Sequence, residues 1–232
     1  MEIDENFFAA FQQAFPLHIV RTKDTPPNMV AGDVPSSKGW IVWRLLRCQS
    51  ALADMWHRAE ELANFPFPPC FKRWYSTYFT LDVDVAVVRL PENPSNNPGK
   101  GLFARLPGGG LFDPRPFELG LLPFADEGQL DAGPVCFDRR NGGDPDHWPI
   151  CYCDHEWRKT PQEISKPMFS NFGNLLRGCT AYLNTIAQLR IASTDPQSID
   201  AARVTAMEAL MAADPDGAGG AGRDYWRCCL NF

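Results

Sequence analysis

The chain has 232 residues, 44% of them hydrophobic, and a formal net charge of −6. That is enough to bury roughly 70–75% of the unfolded surface in one core, and the composition is that of an ordinary globular protein. The charge argues against nucleic acid as a direct partner, because phosphate binding needs clustered Lys and Arg.

Residues 1–15 read as an amphipathic helix, with Ile3, Phe7 and Phe11 spaced by four and Phe8 and Phe15 alongside. The same stretch begins MEIDENFF, which lacks the basic and apolar regions of a signal peptide. The proline pairs and small polar residues of 21–39 predict a loop, and WIVWRLL after it has the character of a short strand. Residues 49–63 predict a helix with Leu52, Met55, Trp56, Ala59 and Leu62 on one stripe. FPFPPC breaks it, and Pro69 is placed to start another helix that turns Phe71, Trp74, Tyr75 and Tyr78 inward.

LDVDVAVVRL alternates and predicts one strand, with Val83, Val85 and Val87 on one face and Asp82, Asp84 and Ala86 on the other. Asp82 and Asp84 also match the paired acids that hold a cation in sugar-transferring enzymes, but any half-exposed strand gives the same spacing. PENPSNNPGKG and LPGGGLFDPRP read as loops, and Gly108–Gly110 lacks the Lys-Ser/Thr of a phosphate cradle. LGLLPFADEG is a short apolar run ended by acids. GPVCFD and HWPICYCD are strand-like on either side of RRNGGDPD, so a hairpin with a long acidic tip is expected. Ser170 is the expected N-cap of a strong helix carrying Phe172, Leu175, Leu176, Cys179, Tyr182, Leu183 and Ile186. Asp195-Pro196 opens a last helix with Ile199, Met207, Leu210 and Met211; Asp214-Pro215 stops it before a docking tail.

No apolar stretch reaches the roughly 18–20 residues of a membrane span. We therefore expect a cytoplasmic protein with no membrane partner, whose eight cysteines are mostly reduced. Cys48, Cys70, Cys136 and Cys179 lie among apolar neighbours and read as small buried hydrophobes. Cys151 and Cys153 share a strand face and precede Asp154, His155 and Glu156, which raises the question of a metal. Only two sulfurs are close, no second cysteine pair stands at zinc spacing, and His155-Glu156 lacks a second histidine. Neither a metal nor a cofactor is expected. No Gly-x-Ser-x-Gly elbow is present, and nothing pairs a cysteine with His18, His57, His147 or His155, so no catalytic residue is assigned. Cys151 and Cys153 are expected to line a buried face, with Ile150, Tyr152 and Trp157 completing the hairpin's apolar surface.

Between Asp126 and Glu156 the sequence holds eight acids and two bases, a balance of −6 that equals the whole chain's charge. The candidate partner-binding residues are therefore Asp126, Glu127, Asp138, Arg139, Asp144, Asp146, Trp148, His155 and Glu156. Trp148 is the candidate aromatic anchor, with a place in the hairpin core as its alternative.

The order of motifs carries a resemblance. PFPPCFKRWY, then LLPFADEGQLDAGPVCFDRR, then PICYCDHEW, then MFSNFGNLLRGCTAYL resembles the SUKH superfamily, also called the Smi/Knr-like family, over roughly residues 40–190. TLDVDV stands where many members carry Gly-Gly after the second helix. The resemblance implies an α+β fold with a mixed, mostly antiparallel β-sheet and helices packed against it, to which the residues themselves add the C-terminal helices. It implies one domain over 1–232, with 1–39 and 191–232 as extensions of the core. It also implies a non-enzymatic immunity protein that binds and neutralises a cognate toxin encoded nearby, such as a nuclease. The alternatives are a regulatory scaffold of the same fold and, less favoured, a metal-dependent hydrolase built on Cys151, Cys153 and His155.

Overall fold

The computed structural model describes residues 2–20, 25–33, 39–49, 52–86, 88–127, 133–153, 167–192 and 196–214. The fold is α+β, with antiparallel sheets and C-terminal helices. Helix α1 (Ile3–Ala14) buries Phe7, Phe8 and Phe11. It leads into β1 (His18–Val20), which pairs with β3 (Ile41–Trp43). Residues 21–39 hold more than the expected loop. Pro27–Met29 form a 3-10 turn, and β2 (Val30–Asp33) pairs with β3 across a bulge between Val30 and Gly32. The pairing of His18 and Val30 with Trp43 outweighs the local loop signals of Pro and Gly. The result is a small three-stranded sheet in the order β1-β3-β2. The WIVWRLL run divides into β3 and β4 (Leu46–Arg47).

Helix α2 (Ala53–Ala63) ends on Asn64 in the left-handed conformation, φ 55°. Helix α3 (Pro69–Tyr75) starts at the proline, as the sequence predicts, and buries Phe71, Trp74 and Tyr75. It stops sooner than expected, because Tyr78 and Phe79 form β5 and pair with β4.

The LDVDVAVVRL stretch is two strands. Strands β6 (Val83–Val85) and β7 (Val88–Leu90) form a hairpin in which Val85 faces Val88. The reversal passes through Ala86 at φ 57°, a conformation that disfavours a residue with a Cβ. Val87 lies outside the described residues. Two short helices, α4 (Lys100–Phe103) and α5 (Pro114–Glu118), lie in the expected loops. The start of α5 is capped by Asp113, whose carboxylate accepts from Arg115 N.

Strand β8 (Leu121–Glu127) extends the apolar run, and β9 (Pro134–Asp138) and β10 (Ile150–Tyr152) form the expected hairpin. With β6 and β7 they make a five-stranded antiparallel sheet, β10-β9-β8-β7-β6. Helix α6 (Phe172–Ala192) packs on α1, α3 and α7 (Pro196–Ala212). Its cap is Asn171, not Ser170: Asn171 Oδ1 accepts from Asn174 N at 2.9 Å. Ser170 instead ties the two C-terminal helices together. Its N and Oγ both donate to the Asp214 carboxylate, at 2.7 and 3.0 Å, and Asn174 Nδ2 joins them at 3.0 Å. Gly178 allows the close approach of α7, since a Cβ there would stand 3.0 Å from Leu210 O.

One face of the large sheet carries the main core. Phe71 is its hub. Its ring meets those of Trp56, Phe67, Trp74, Tyr75, Phe124, Phe137 and Phe172 at centroid separations of 5.1 to 6.1 Å. Such pairs add dispersion and quadrupole attraction to area burial. This cluster joins three parts of the chain, so it fixes where the β9–β10 loop stands.

The other face of that sheet divides in two. Toward β10 it is apolar: Leu121, Cys136, Cys151 and Cys153 form a satellite cluster with Leu119 beside it. Toward β6 it is ionic. Asp84, Arg89 and Asp126 stand opposite one another on three adjacent strands. Arg89 donates to Asp84 at 3.0 Å, and Arg105 forms an ion pair with Asp126. Opposite charges in direct cross-strand register attract and fix the pairing.

Candidate partner-binding site

Among the described residues, most of the acids of the 126–156 segment are engaged within the fold. Asp126 accepts from Arg105 Nε and Nη2, and Arg105 also donates to Gly101 O, so its nearly buried guanidinium is neutralised where it sits. Glu127 is buried at the end of β8. Asp138 is buried at the end of β9 and takes Arg140 in a two-point pair, Nε to Oδ1 at 2.8 Å and Nη2 to Oδ2 at 2.6 Å. Burial raises the Asp138 carboxyl, but the Arg140 hydrogen bonds and charge outweigh it and leave the group below the usual carboxylate range. Asp146 Oδ1 accepts from Cys70 N at 2.8 Å, capping the first turn of α3 from the far side of the sequence. Among the described residues, the acidic rim expected from sequence is thus largely matched within the fold. A carboxylate's neighbours along the chain do not reveal the arginine or amide that reaches it in the fold.

Trp148 is likewise a structural residue. It is 5% exposed, within the main core, and its Nε1 donates to Gly142 O at 3.1 Å. An anchor for a partner must stand in the open, whereas this residue supports the loop from beneath. His155 and Glu156 lie outside the described residues, as does Trp157.

What remains exposed is the loop itself. Arg140, Asn141, Gly142, Gly143, Asp144 and His147 are open to water. Asp144 Oδ1 accepts from Asp146 N at 3.0 Å, and its other oxygen lies 3.5 Å from His147 Nδ1. Arg139 departs from the pattern of its neighbour. Its guanidinium carbon lies 3.2 Å from the centroid of the Phe65 ring, and burial lowers its pKa. Among the described residues no carboxylate meets it, and its Nε is buried without a partner. Phe65 is half exposed, so the pair forms a cation–aromatic ledge beside the loop. Sequence reasoning assigns Phe65 no role beyond the helix break; its only signal is a large aromatic among prolines.

The cysteines gather more closely than their spacing suggests. Cys136 stands opposite Cys151 in the β9–β10 register, and Cys153 joins them on the same face. Burial pushes the Cys136 thiol well above its ordinary value, which keeps it protonated and unreactive. Burial likewise pushes Cys48, Cys70 and Cys179 up to about 12, with Asp146 adding to the shift at Cys70. Among the described residues no group of three His, Cys, Asp or Glu side chains could hold a metal ion. His18 is stacked between Phe11 and Trp43 at 4.6 and 4.9 Å, and burial lowers its pKa to about 4. It is neutral at ordinary pH and belongs to the core.

No helix among the described residues is long and apolar enough to cross a membrane. No protein-family model, no curated protein and no solved structure matches the chain.

Proposed function

We propose that this chain is a non-enzymatic immunity protein of SUKH type, which neutralises a bacterial toxin, such as a nuclease effector, by covering it in a stoichiometric complex. The observation that carries the proposal is an exposed loop with a fixed base. Residues 139–147 are held by Asp138 N donating to Pro149 O at 2.8 Å, by Trp148 Nε1 on Gly142 O, and by Cys70 N on Asp146. A loop already ordered before contact pays little of the entropy that binding otherwise costs. Asp144 offers negative charge for encounter with a basic cleft, and the Arg139–Phe65 ledge offers a flat contact at its side. The motif order over residues 40–190 supports the same function.

The test is co-expression with the effector domain encoded beside this chain. Survival of the cells and a 1:1 complex in solution are the expected results. Asp144→Lys should slow association on the order of threefold and weaken its salt dependence. Only the small fall in Tm expected from losing its hydrogen bond to Asp146 N should accompany this, a fall that Asp144→Asn should avoid. Asp138 and Asp146 are unsuitable for this test because both hold the fold together. Killing that continues at full chain expression, with no complex formed, would falsify the proposal.

A further inference from the structure

Six arginines among the described residues, Arg47, Arg73, Arg89, Arg105, Arg115 and Arg140, each hold a carboxylate. Arg44 and Arg58 hold none, but both stand in water, which serves a cation nearly as well. Arg139 has neither. It is half-buried, its Nε is closed off without a partner, and among the described residues no side-chain hydrogen bond or ion pair reaches it. Withdrawing a charge from water is costly unless an opposite charge or hydrogen bonds replace that water. Here the replacement is partial. One face of the guanidinium lies on the Phe65 ring, 3.2 Å from carbon to centroid, and its edge is left over.

Both halves of the ledge are fixed. Phe65 N donates to Glu60 O at 3.2 Å, closing α2 after the left-handed Asn64. Arg139 N donates to Gly120 O at 3.3 Å, and Asp138 N before it to Pro149 O. The ring therefore sets the plane of the guanidinium before anything binds. A guanidinium held flat presents its terminal N–H groups in one plane, the arrangement that takes the two oxygens of a carboxylate side by side. Phe65 is 37% exposed, so its rim is open to the methylene groups of the same incoming side chain.

We infer that Arg139 is the receptor for a single carboxylate of the effector, an Asp or Glu side chain whose methylene groups lie against the Phe65 rim. Resting on the immunity function proposed above, this contact adds to it a second charge preference of opposite sign. One unmatched cation calls for one negative charge. A phosphate dianion or a nucleic-acid strand would bring more, against Asp144 in the same exposed loop and a chain of net charge −6. With Asp144 directed at cations and Arg139 at an anion, the loop accepts a partner in one orientation and rejects it reversed.

The full chain, isotope-labelled in its arginine nitrogens, is titrated at constant ionic strength with N-acetylglutamate amide, with its neutral glutamine counterpart and with inorganic phosphate. The Arg139 guanidinium resonances should shift saturably with the glutamate amide, about tenfold more tightly than with the glutamine amide. Phe65→Ala should weaken that response about threefold with Tm unchanged. In the complex with the effector domain, Arg139→Gln should speed dissociation about tenfold, again with Tm unchanged. Arg139→Lys should recover only part of that loss, since an ammonium lacks the planar fork. A lysine in place of one effector acid should restore binding to Arg139→Glu. Equal response to the two amides, tighter binding of phosphate, or wild-type dissociation of Arg139→Gln would overturn the inference. So would a salt-dependent fall in Tm on Arg139→Gln, which would mean that a carboxylate of this chain already holds the group. No complex with the effector, while Arg139 still answers the glutamate amide, would fail the immunity function alone and leave the carboxylate site standing.

Discussion

Across β6, β7 and β8 of the large sheet, Asp84, Arg89 and Asp126 stand in register and answer one another, while on the small sheet Leu17, Ile19 and Trp40 face water. By its residues the ionic region should be an open charged surface, and Arg89 is exposed, yet its charges are matched within the fold in a lattice of ion pairs. By its residues the small sheet should be ordinary strand core, yet one side of it is bare. Formal charge along a chain therefore says little about the charge a partner meets, and apolar pattern says little about burial. Both are decided by what folds over the residue.

The contrast can be broken by substitution, and the main core sets the scale. Phe71→Ala should destabilise by about 3–5 kcal/mol, the cost of a large cavity among packed rings, read as a shift in the denaturant midpoint at constant m. Asp126→Ala should cost about 2–3 kcal/mol, because it strands the nearly buried Arg105 guanidinium; a loss below about half a kcal/mol would mean the ionic half of that face is ordinary surface.

Asp138→Asn should cost about 2 kcal/mol at neutral pH through loss of a charged two-point pair. Its pH dependence has a definite sign. The folded-state pKa of Asp138 is depressed, so its contribution is full above the unfolded value and lost as pH falls through the folded one. Asp4 on α1 behaves oppositely. Burial raises its carboxyl more than Arg73 lowers it, so stability linked to its protonated form is full below the unfolded value and lost as pH rises through the folded one. In parallel melts taken downward from neutral pH, wild type should therefore gain ground against Asp4→Asn first, through the raised Asp4 value, and lose ground against Asp138→Asn only once pH falls below the ordinary carboxylate value of about 4.

Trp148→Phe should cost about 1 kcal/mol, for one hydrogen bond to the loop, and raise amide exchange at Gly142 and Gly143. At the bottom of the scale, Ile19→Thr and Trp40→Ser should each shift stability by no more than about 0.5 kcal/mol. A large loss at either would show that the open face is structural.

Local signals carry the architecture well and fail where distant residues decide. The 3.6 periodicity of residues 172–186, the proline at the head of α3 and the 133–153 hairpin are all legible, because each depends on neighbours within a few positions. The β6–β7 reversal is not. VDVAV alternates without a break, and the turn uses Ala86 at positive φ instead of the Gly or Asn that would announce it. Strand β2 is hidden by Pro and Gly because its order comes from pairing with β3. For α5 a signal does exist within the expected loop: Asp113 followed by Pro114 is a cap and a first helical residue. The candidate site is the least legible part. The partner of Asp126 lies 21 residues away and that of Asp146 lies 76 away, separations at which no sequence pattern operates.

The packing of α1 against α6 has a consequence for how the chain is made. Helix α1 ends at Ala14 and α6 begins at Phe172, so roughly 160 residues leave the ribosome between them. At about 5–20 residues per second, Phe7, Phe8 and Phe11 spend on the order of ten seconds or more without the helix that shelters them. A nascent chain of this kind is a natural client for a chaperone that holds aromatic segments until translation is nearly complete.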